Sequence, residues 1–433
     1  MEFHLANTSD LSVGGGHGYT MVNIEQGFTG EPGPRIAAQE AYFGILTRPL
    51  HADPTDIIKA SARLGKPIIT VHFSYRLNVF GYGVFGGKTN FGFHDQKRAI
   101  EWVRKHIAGF GGDPGNITIL GESAGAIAAH GHIHGPTPTK GVRRAILQSG
   151  SLYVTGPTPQ AVGEAIMKRL ASISESSNLQ TLPVDKVLTG LQKLGIRNWW
   201  LHEEDDVFVR GTDGHDWPIS KDAELETLLI GDCQWESRGF EAHVAAVGLE
   251  KLEEVFNEYS PAGQEVLKLY DINFSSMEVA RPRISAFIND LKFALAAQEI
   301  PKEERLTGKR TCYRYLVDQP NPWKKTAGAH HAVDLIFLFG GPFDYSHDSQ
   351  AVTLGNVMRE KWITFLHGET PWDPSNVFAF GPEGACGTID EEEVGRRRRV
   401  RCVDGLQEIG WARCQPLATR LLGARGVVTE AYL

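Results

Sequence analysis

Apolar residues follow two alternating patterns along this chain. Short runs rich in Val, Ile, Leu and Phe read as buried strands: 66–75 (KPIITVHFSY), 117–120 (ITIL), 144–148 (beginning RAILQ) and 311–317 (TCYRYLV). Between them apolar positions recur at helical spacing. A helix over 54–64 carries Ile57, Ile58 and Leu64, and one over 95–110 carries Ile100, Val103 and Ile107 before Gly111-Gly112 stops it. Residues 161–270 read as mainly helical, interrupted by 224–232 (ELETLLIGD), whose Leu-Leu-Ile run suits a further strand. A helix is expected over 282–300 and an amphipathic one over 352–366. Strands alternating with helices predict an α/β fold, a mostly parallel sheet with helices on both faces. No internal repeat or linker interrupts the pattern, so 1–433 is read as a single domain.

The stretch 116–125, NITILGESAG, is where pattern meets chemistry. A buried strand runs into Gly121, Ser123 and Gly125, a G-x-S-x-G motif, and then into the small, helix-compatible run AIAAH. Strand, tight turn and helix form a nucleophile elbow. The turn strains the serine backbone, so its neighbours must be small, and it lifts the Ser123 hydroxyl above the sheet. The Ala124 N–H points into the same space. A second glycine-rich stretch, 12–20 (SVGGGHGYT), lets backbone N–H groups approach a ligand closely or simply makes a flexible turn.

A serine hydroxyl is a weak nucleophile until a base, itself oriented by a third group, sits within hydrogen-bond reach. In elbow-type sites the acid and then the histidine follow the serine along the chain. Of the 16 histidines, His330 and His331 lie on a small-residue loop (AGAHHAVD) after the strand at 311–317. For the acid, Glu236 stands just beyond the strand ending at Gly231, and Asp232 competes with it because it lies nearer the strand end. His130, His132 and His134 resemble a metal site, but on the helix after the elbow their side chains diverge around the axis. No metal and no cofactor is expected.

Composition narrows the partners. Hydrophobic residues make up 41% and charged residues 22%, which suits an ordinary globular chain, and the net charge of −8 argues against nucleic acid. The run at 391–402 (EEEVGRRRRVRC) places acids before bases, as a surface helix and its dipole prefer, rather than a nucleic-acid patch. No apolar run is long enough to span a bilayer, and the first residues lack the features of a signal peptide. Taken as written, the chain is expected to be cytoplasmic, with secretion open if a leader precedes it. The five cysteines, none before Cys233, lack zinc spacing and read as buried free thiols.

Several long motifs carry a family resemblance: 73–83 (FSYRLNVFGYG), 90–125 (ending GDPGNITILGESAG), 145–151 (AILQSGS), 228–237 (LLIGDCQWES), 328–341 (GAHHAVDLIFLFGG) and 380–384 (FGPEG). The sequence resembles the type-B carboxylesterases, a family that includes cholinesterases and lipases, and looks most like its fungal members. The resemblance implies an α/β-hydrolase fold and cofactor-free cleavage of a small-molecule ester or lipid. It implies Ser123 as nucleophile, Glu236 rather than Asp232 as acid, and His331 rather than His330 as base, with Asp334 the family's acidic residue three positions later. By the same resemblance Gly15, Gly16 and Ala124 form the oxyanion hole, Arg76 and Asp95 make a buried structural pair, and Glu122 is a buried structural acid. Two stretches depart from the family's pattern. Only 1–13 precede Gly14, so the first strands of the sheet are expected to be missing, and 21–51 replace a shorter link. Two other readings stay open: an inactive family member serving as a binding module, and a truncated product without function. The retained serine and histidine weigh against the first.

Overall fold

The computed structural model describes residues 18–23, 53–176, 178–195, 201–204, 207–208, 217–340 and 344–422, with side chains from residue 53 onward. Among the described residues eight strands form one sheet. They are β1 (Gly18–Asn23), β2 (Ile68–His72), β3 (Gly112–Glu122), β4 (Val142–Gln148), β5 (Thr227–Cys233), β6 (Thr311–Val317), β7 (Val377–Phe380) and β8 (Cys386–Ile389). Their order across the sheet is β2-β1-β3-β4-β5-β6-β7-β8, and every pairing is parallel except the last. Helices include α1 (Thr55–Arg63), α2 (Phe91–His106), α3 (Ala124–Ile133), α4 (Met277–Asn289), α5 (Leu295–Thr307), α6 (Val333–Phe339), α7 (Ser349–Leu366) and α8 (Glu391–Arg397).

Both faces of the sheet are covered, which is why its central strands are nearly continuous apolar runs. Successive residues still go to opposite faces. Ile117 and Ile119, Ala145 and Leu147, and Leu228 and Ile230 meet Ile100 and Val103 of α2, Ala126 and Ala129 of α3, and Phe287 of α4. Leu120, Ile146 and Leu229 face the other way, onto Ile57 of α1, Phe337 of α6 and Met358 and Trp362 of α7. This is the α/β-hydrolase arrangement that the motifs imply, and chain order and sheet order agree from β3 to β8.

Elements expected over 54–64, 144–148, 311–317 and 352–366 are present within a few residues of those limits. Others differ for physical reasons. The helix expected from 282 starts at Met277, tolerates Pro282, and continues past Asn289 through a π-helical turn, Asp290–Ala294, into α5. Strands β7 and β8 have four residues each, too short for a periodic signal. Residues 18–20, read as part of a ligand-facing glycine stretch, open β1. Arg76 and Asp95 do form a two-pronged ion pair, with Nε to Oδ2 and Nη2 to Oδ1 both 2.7 Å. The pair is not buried, because the Arg76 side chain is 52% exposed.

The charged run at 391–402 divides. In α8, Asp390 caps the helix by accepting from the Glu393 N–H, three glutamates fill the first turn, and Arg396 and Arg397 fill the last. That ordering complements the helix dipole as expected. Arg398 then leaves the helix in an extended conformation and is buried.

Candidate active site

The elbow forms because glycines surround it. Ser123 lies at φ 54°, ψ −116°, a region closed to most side-chain-bearing residues. A β-carbon on Gly121 would lie 2.1 Å from the Gly125 carbonyl oxygen, and one on Gly150 would lie 2.5 Å from that of Ser123. With those gaps open, the Ser123 N–H donates to the Gln148 carbonyl at 2.9 Å, anchoring the turn to β4. Ala124 opens α3, so its N–H belongs to the first turn, where backbone donors have no partner within the helix. The partial positive charge of that helix end falls beside the serine.

Two later loops bring the other groups to the same end of the sheet. After β5 the chain turns sharply and the Cys233 N–H donates to Glu236 Oε1 at 2.6 Å, which fixes the buried carboxylate. After β6 the loop returns with His330 and His331. A backbone bridge stitches the loops together: the Trp235 N–H donates to the Ala329 carbonyl at 2.9 Å. His331 Nδ1 lies 2.5 Å from Glu236 Oε2, and its Nε2 lies 2.8 Å from Ser123 Oγ. Serine, imidazole and carboxylate therefore make one continuous hydrogen-bonded line.

The competing residues are engaged elsewhere. His330 Nε2 accepts from the Asn321 amide at 2.9 Å, while its Nδ1 donates to the His331 carbonyl at 2.8 Å. Asp232 pairs with Arg398 at 3.0 Å. The three histidines of the H-x-H-x-H run turn to separate partners. His130 Nδ1 accepts from the Leu152 N–H, His132 sits between Thr139 and Gln96, and His134 Nδ1 donates to the Pro218 carbonyl.

Charge around the imidazole is uneven. Burial opposes its cationic form, but Glu122, Glu236 and Asp334 outweigh that cost and raise the His331 pKa to about 9. Glu122 Oε1 is 3.4 Å from His331 Nε2, so this residue acts on the histidine electrostatically as well as filling space. Asp334 is fully buried and accepts from the Gln148 amide at 2.8 Å, and burial pushes its own pKa up to about 6. Phe293, on the π-helical turn, lays its ring 5.4 Å from the His331 ring. Periodicity gave no sign of Phe293, because one extra residue in the turn changes which face it occupies.

Gly15 and Gly16 lie outside the described residues. The strand that follows them begins at Gly18, level with Gly112 at the start of β3, and ends at Asn23, level with Leu120. The elbow lies beyond Leu120, so β1 runs toward Ser123 rather than away from it.

Comparison with known proteins agrees with this architecture. Residues 47–197 match the model of the carboxylesterase family. Lipase 3 of Yarrowia lipolytica is 29% identical over 383 residues, which span 85% of this chain and 74% of that protein. The bile salt-activated lipase of Homo sapiens is 26% identical over 351 residues, 70% of this chain and 45% of that one. Among solved structures, the Geobacillus stearothermophilus carboxylesterase EST55 aligns with a TM-score of 0.68 at 22% identity, covering 90% of this chain and 83% of that chain.

Proposed function

We propose that this chain, similar to lipases and carboxylesterases over most of its length, cleaves carboxylic esters through a Ser123–His331–Glu236 triad and an acyl-enzyme. The observation that carries this reading is the unbroken line from Ser123 Oγ through His331 to Glu236, at 2.8 and 2.5 Å. His331 Nε2 takes the serine proton as Oγ attacks the ester carbonyl. Glu236 holds the tautomer with the proton on Nδ1 and stabilises the imidazolium that forms. The tetrahedral oxyanion is met by the Ala124 N–H; the resemblance alone names Gly15 and Gly16 as further donors, and they precede the end of β1 that lies away from Ser123. Each such donor contributes about 2.7–4 kcal/mol where it has been removed from related sites. Collapse expels the alcohol, which takes its proton from His331 Nε2. A water deprotonated by the same nitrogen then attacks the acyl carbonyl, and the second collapse returns the proton to Ser123. The substrate class is a carboxylic ester of a small molecule or a lipid.

Fluorophosphonate labelling with peptide mapping tests the reading. One adduct on Ser123, absent in Ser123→Ala and strongly slowed in His331→Ala, is the expected result. A folded, cooperatively melting protein that takes no label would overturn it and favour the inactive binding module. Hydrolysis of p-nitrophenyl esters of increasing acyl length then separates small esters from lipid-like ones.

A further inference from the structure

The third arginine of the run 396–399 has no role in the chemistry above, yet it is the one turned inward. Its side chain is 3% exposed, and the guanidinium lies against two buried carboxylates. Nε donates to Asp232 Oδ2 at 3.0 Å and Nη2 to the Asp232 carbonyl at 3.2 Å, while Nη1 donates to Asp318 Oδ1 at 2.8 Å. Asp232 is the penultimate residue of β5, and Asp318 is the first residue after β6. These strands are neighbours, with Asp232 level with Leu316 and Cys233 level with Val317. One planar group thus spans the ends of the two strands from which Glu236 and His331 are delivered. Arg397 reinforces it from outside, reaching Asp318 Oδ2 at 3.1 Å and the Gly381 carbonyl at 2.8 Å.

The path from this staple to the triad is short. The residue after Asp232 is Cys233, whose N–H holds Glu236 at 2.6 Å. Two residues further on, Trp235 makes the only backbone bridge recorded among the described residues between the acid loop and the histidine loop. Removing the guanidinium would leave Asp232 and Asp318, 1% and 4% exposed, as like charges at adjacent strand ends. Arg314 on β6 also acts on Asp232, and Glu236 acts on it with the opposite sign, so the strand ends would respond by separating or tilting.

We propose that Arg398 is a positioning residue for ester hydrolysis: by stapling Asp232 to Asp318 it fixes the spacing of the β5 and β6 ends and so the Glu236–His331 hydrogen bond. The proposal rests on the triad reading above. A hydrogen bond this short loses its geometry with sub-ångström drift, and a misplacement of about 1 Å costs on the order of 100-fold in rate. Arginine is suited to the task because its rigid fork reaches two carboxylates and a carbonyl at once, whereas a lysine offers one point charge.

The experiment compares wild type with Arg398→Met, Arg398→Lys and, as a surface control, Arg396→Ala. Proton NMR of the resting protein reads the His331 Nδ1 proton directly, its downfield resonance assigned by its loss in His331→Ala. We expect Arg398→Met to move or abolish that resonance, to lower kcat about 10- to 100-fold with KM within about twofold, and to shift the acidic limb of the pH profile. Arg398→Lys restores part of each change, and Arg396→Ala changes none. A merely lowered melting temperature with wild-type resonance, kcat and pH profile would overturn the proposal and leave a structural clamp. If Arg398→Met does not fold, Asp318→Asn, which weakens one arm of the staple, carries the same readouts. Failure of the triad reading is distinct: wild type then takes no label at Ser123, and the resonance alone decides whether Arg398 governs the Glu236–His331 contact.

Discussion

At the scale of single residues, the histidine sets the pH dependence. His331 acts as a base only when neutral, and its pKa is raised to about 9, so the neutral fraction grows as pH climbs through the alkaline range. The acidic limb of kcat/KM is therefore expected well above 6.5, the ordinary imidazole value. Glu122→Gln removes the first of the acids that stabilise the imidazolium, and should move that limb toward lower pH, as a pH–rate profile with a soluble ester will read. A profile unchanged in Glu122→Gln would mean that the acid only fills space. The triad itself predicts non-additivity. Ser123→Ala and His331→Ala should each remove most of the roughly 10⁶-fold acceleration such sites provide, and the double variant should be no slower than either. Sequence separated these roles unevenly. The elbow marked Ser123 by local sterics, but the choice of Glu236 over Asp232 came from resemblance, and the physical reason emerges only in three dimensions. Asp232, nearer the strand end, is already held by Arg398, which no local pattern reveals.

At the scale of elements, the elbow is a contact between three pieces of backbone, and its glycines are the terms that allow the contact. A β-carbon on Gly150 would lie 2.5 Å from the Ser123 carbonyl oxygen and 3.0 Å from Ala126 Cβ, both on rigid elements. Gly150→Ala should destabilise by about 1–3 kcal/mol, the usual cost of overpacking, and slow fluorophosphonate labelling more than its melting shift alone would suggest. Gly65→Ala serves as a contrast. A β-carbon there has open space around it, and the positive φ of 68° is its only strain. Labelling at Ser123 should stay at the wild-type rate in that variant. Long strands and helices were legible from apolar spacing because burial on one or both faces leaves a periodic trace. The π-helical turn, the four-residue strands β7 and β8, and the inward Arg398 were not, since each depends on a partner far along the chain. Of the glycine stretch at 12–20 only 18–20 lie among the described residues, and β1 uses them as an ordinary strand opening.

At the scale of the whole molecule, two buried histidines and the half-buried His331 bound the pH range in which the fold is stable, and they act in opposite directions. His130 and His132 are fully buried and neutral, burial having lowered both pKa values to about 3. In the unfolded chain they take up protons near pH 6.5, so the unfolded state binds more protons as pH falls, and stability drops between about 6.5 and 3. Each contributes a slope of about 1.4 kcal/mol per pH unit across that window. His331 works the other way. Its raised pKa adds stability that is complete below about 6.5 and lost as pH rises through about 9. Stability should therefore be greatest near neutrality, while the rate per active site still rises toward alkaline pH. Denaturant titrations at pH 7.5, 6, 5 and 4 measure the acidic side. In His132→Gln, where a glutamine amide replaces the imidazole that bonds Thr139 and Gln96, the slope below pH 6.5 should shrink by up to about one proton. The variant loses the 4.2 Å stack on Phe93 and starts less stable at pH 7.5, so the comparison rests on slope and not on height. An unchanged slope would mean that His132 takes up its proton in the folded state, within reach of solvent, and that the core beneath α3 opens at mildly acidic pH.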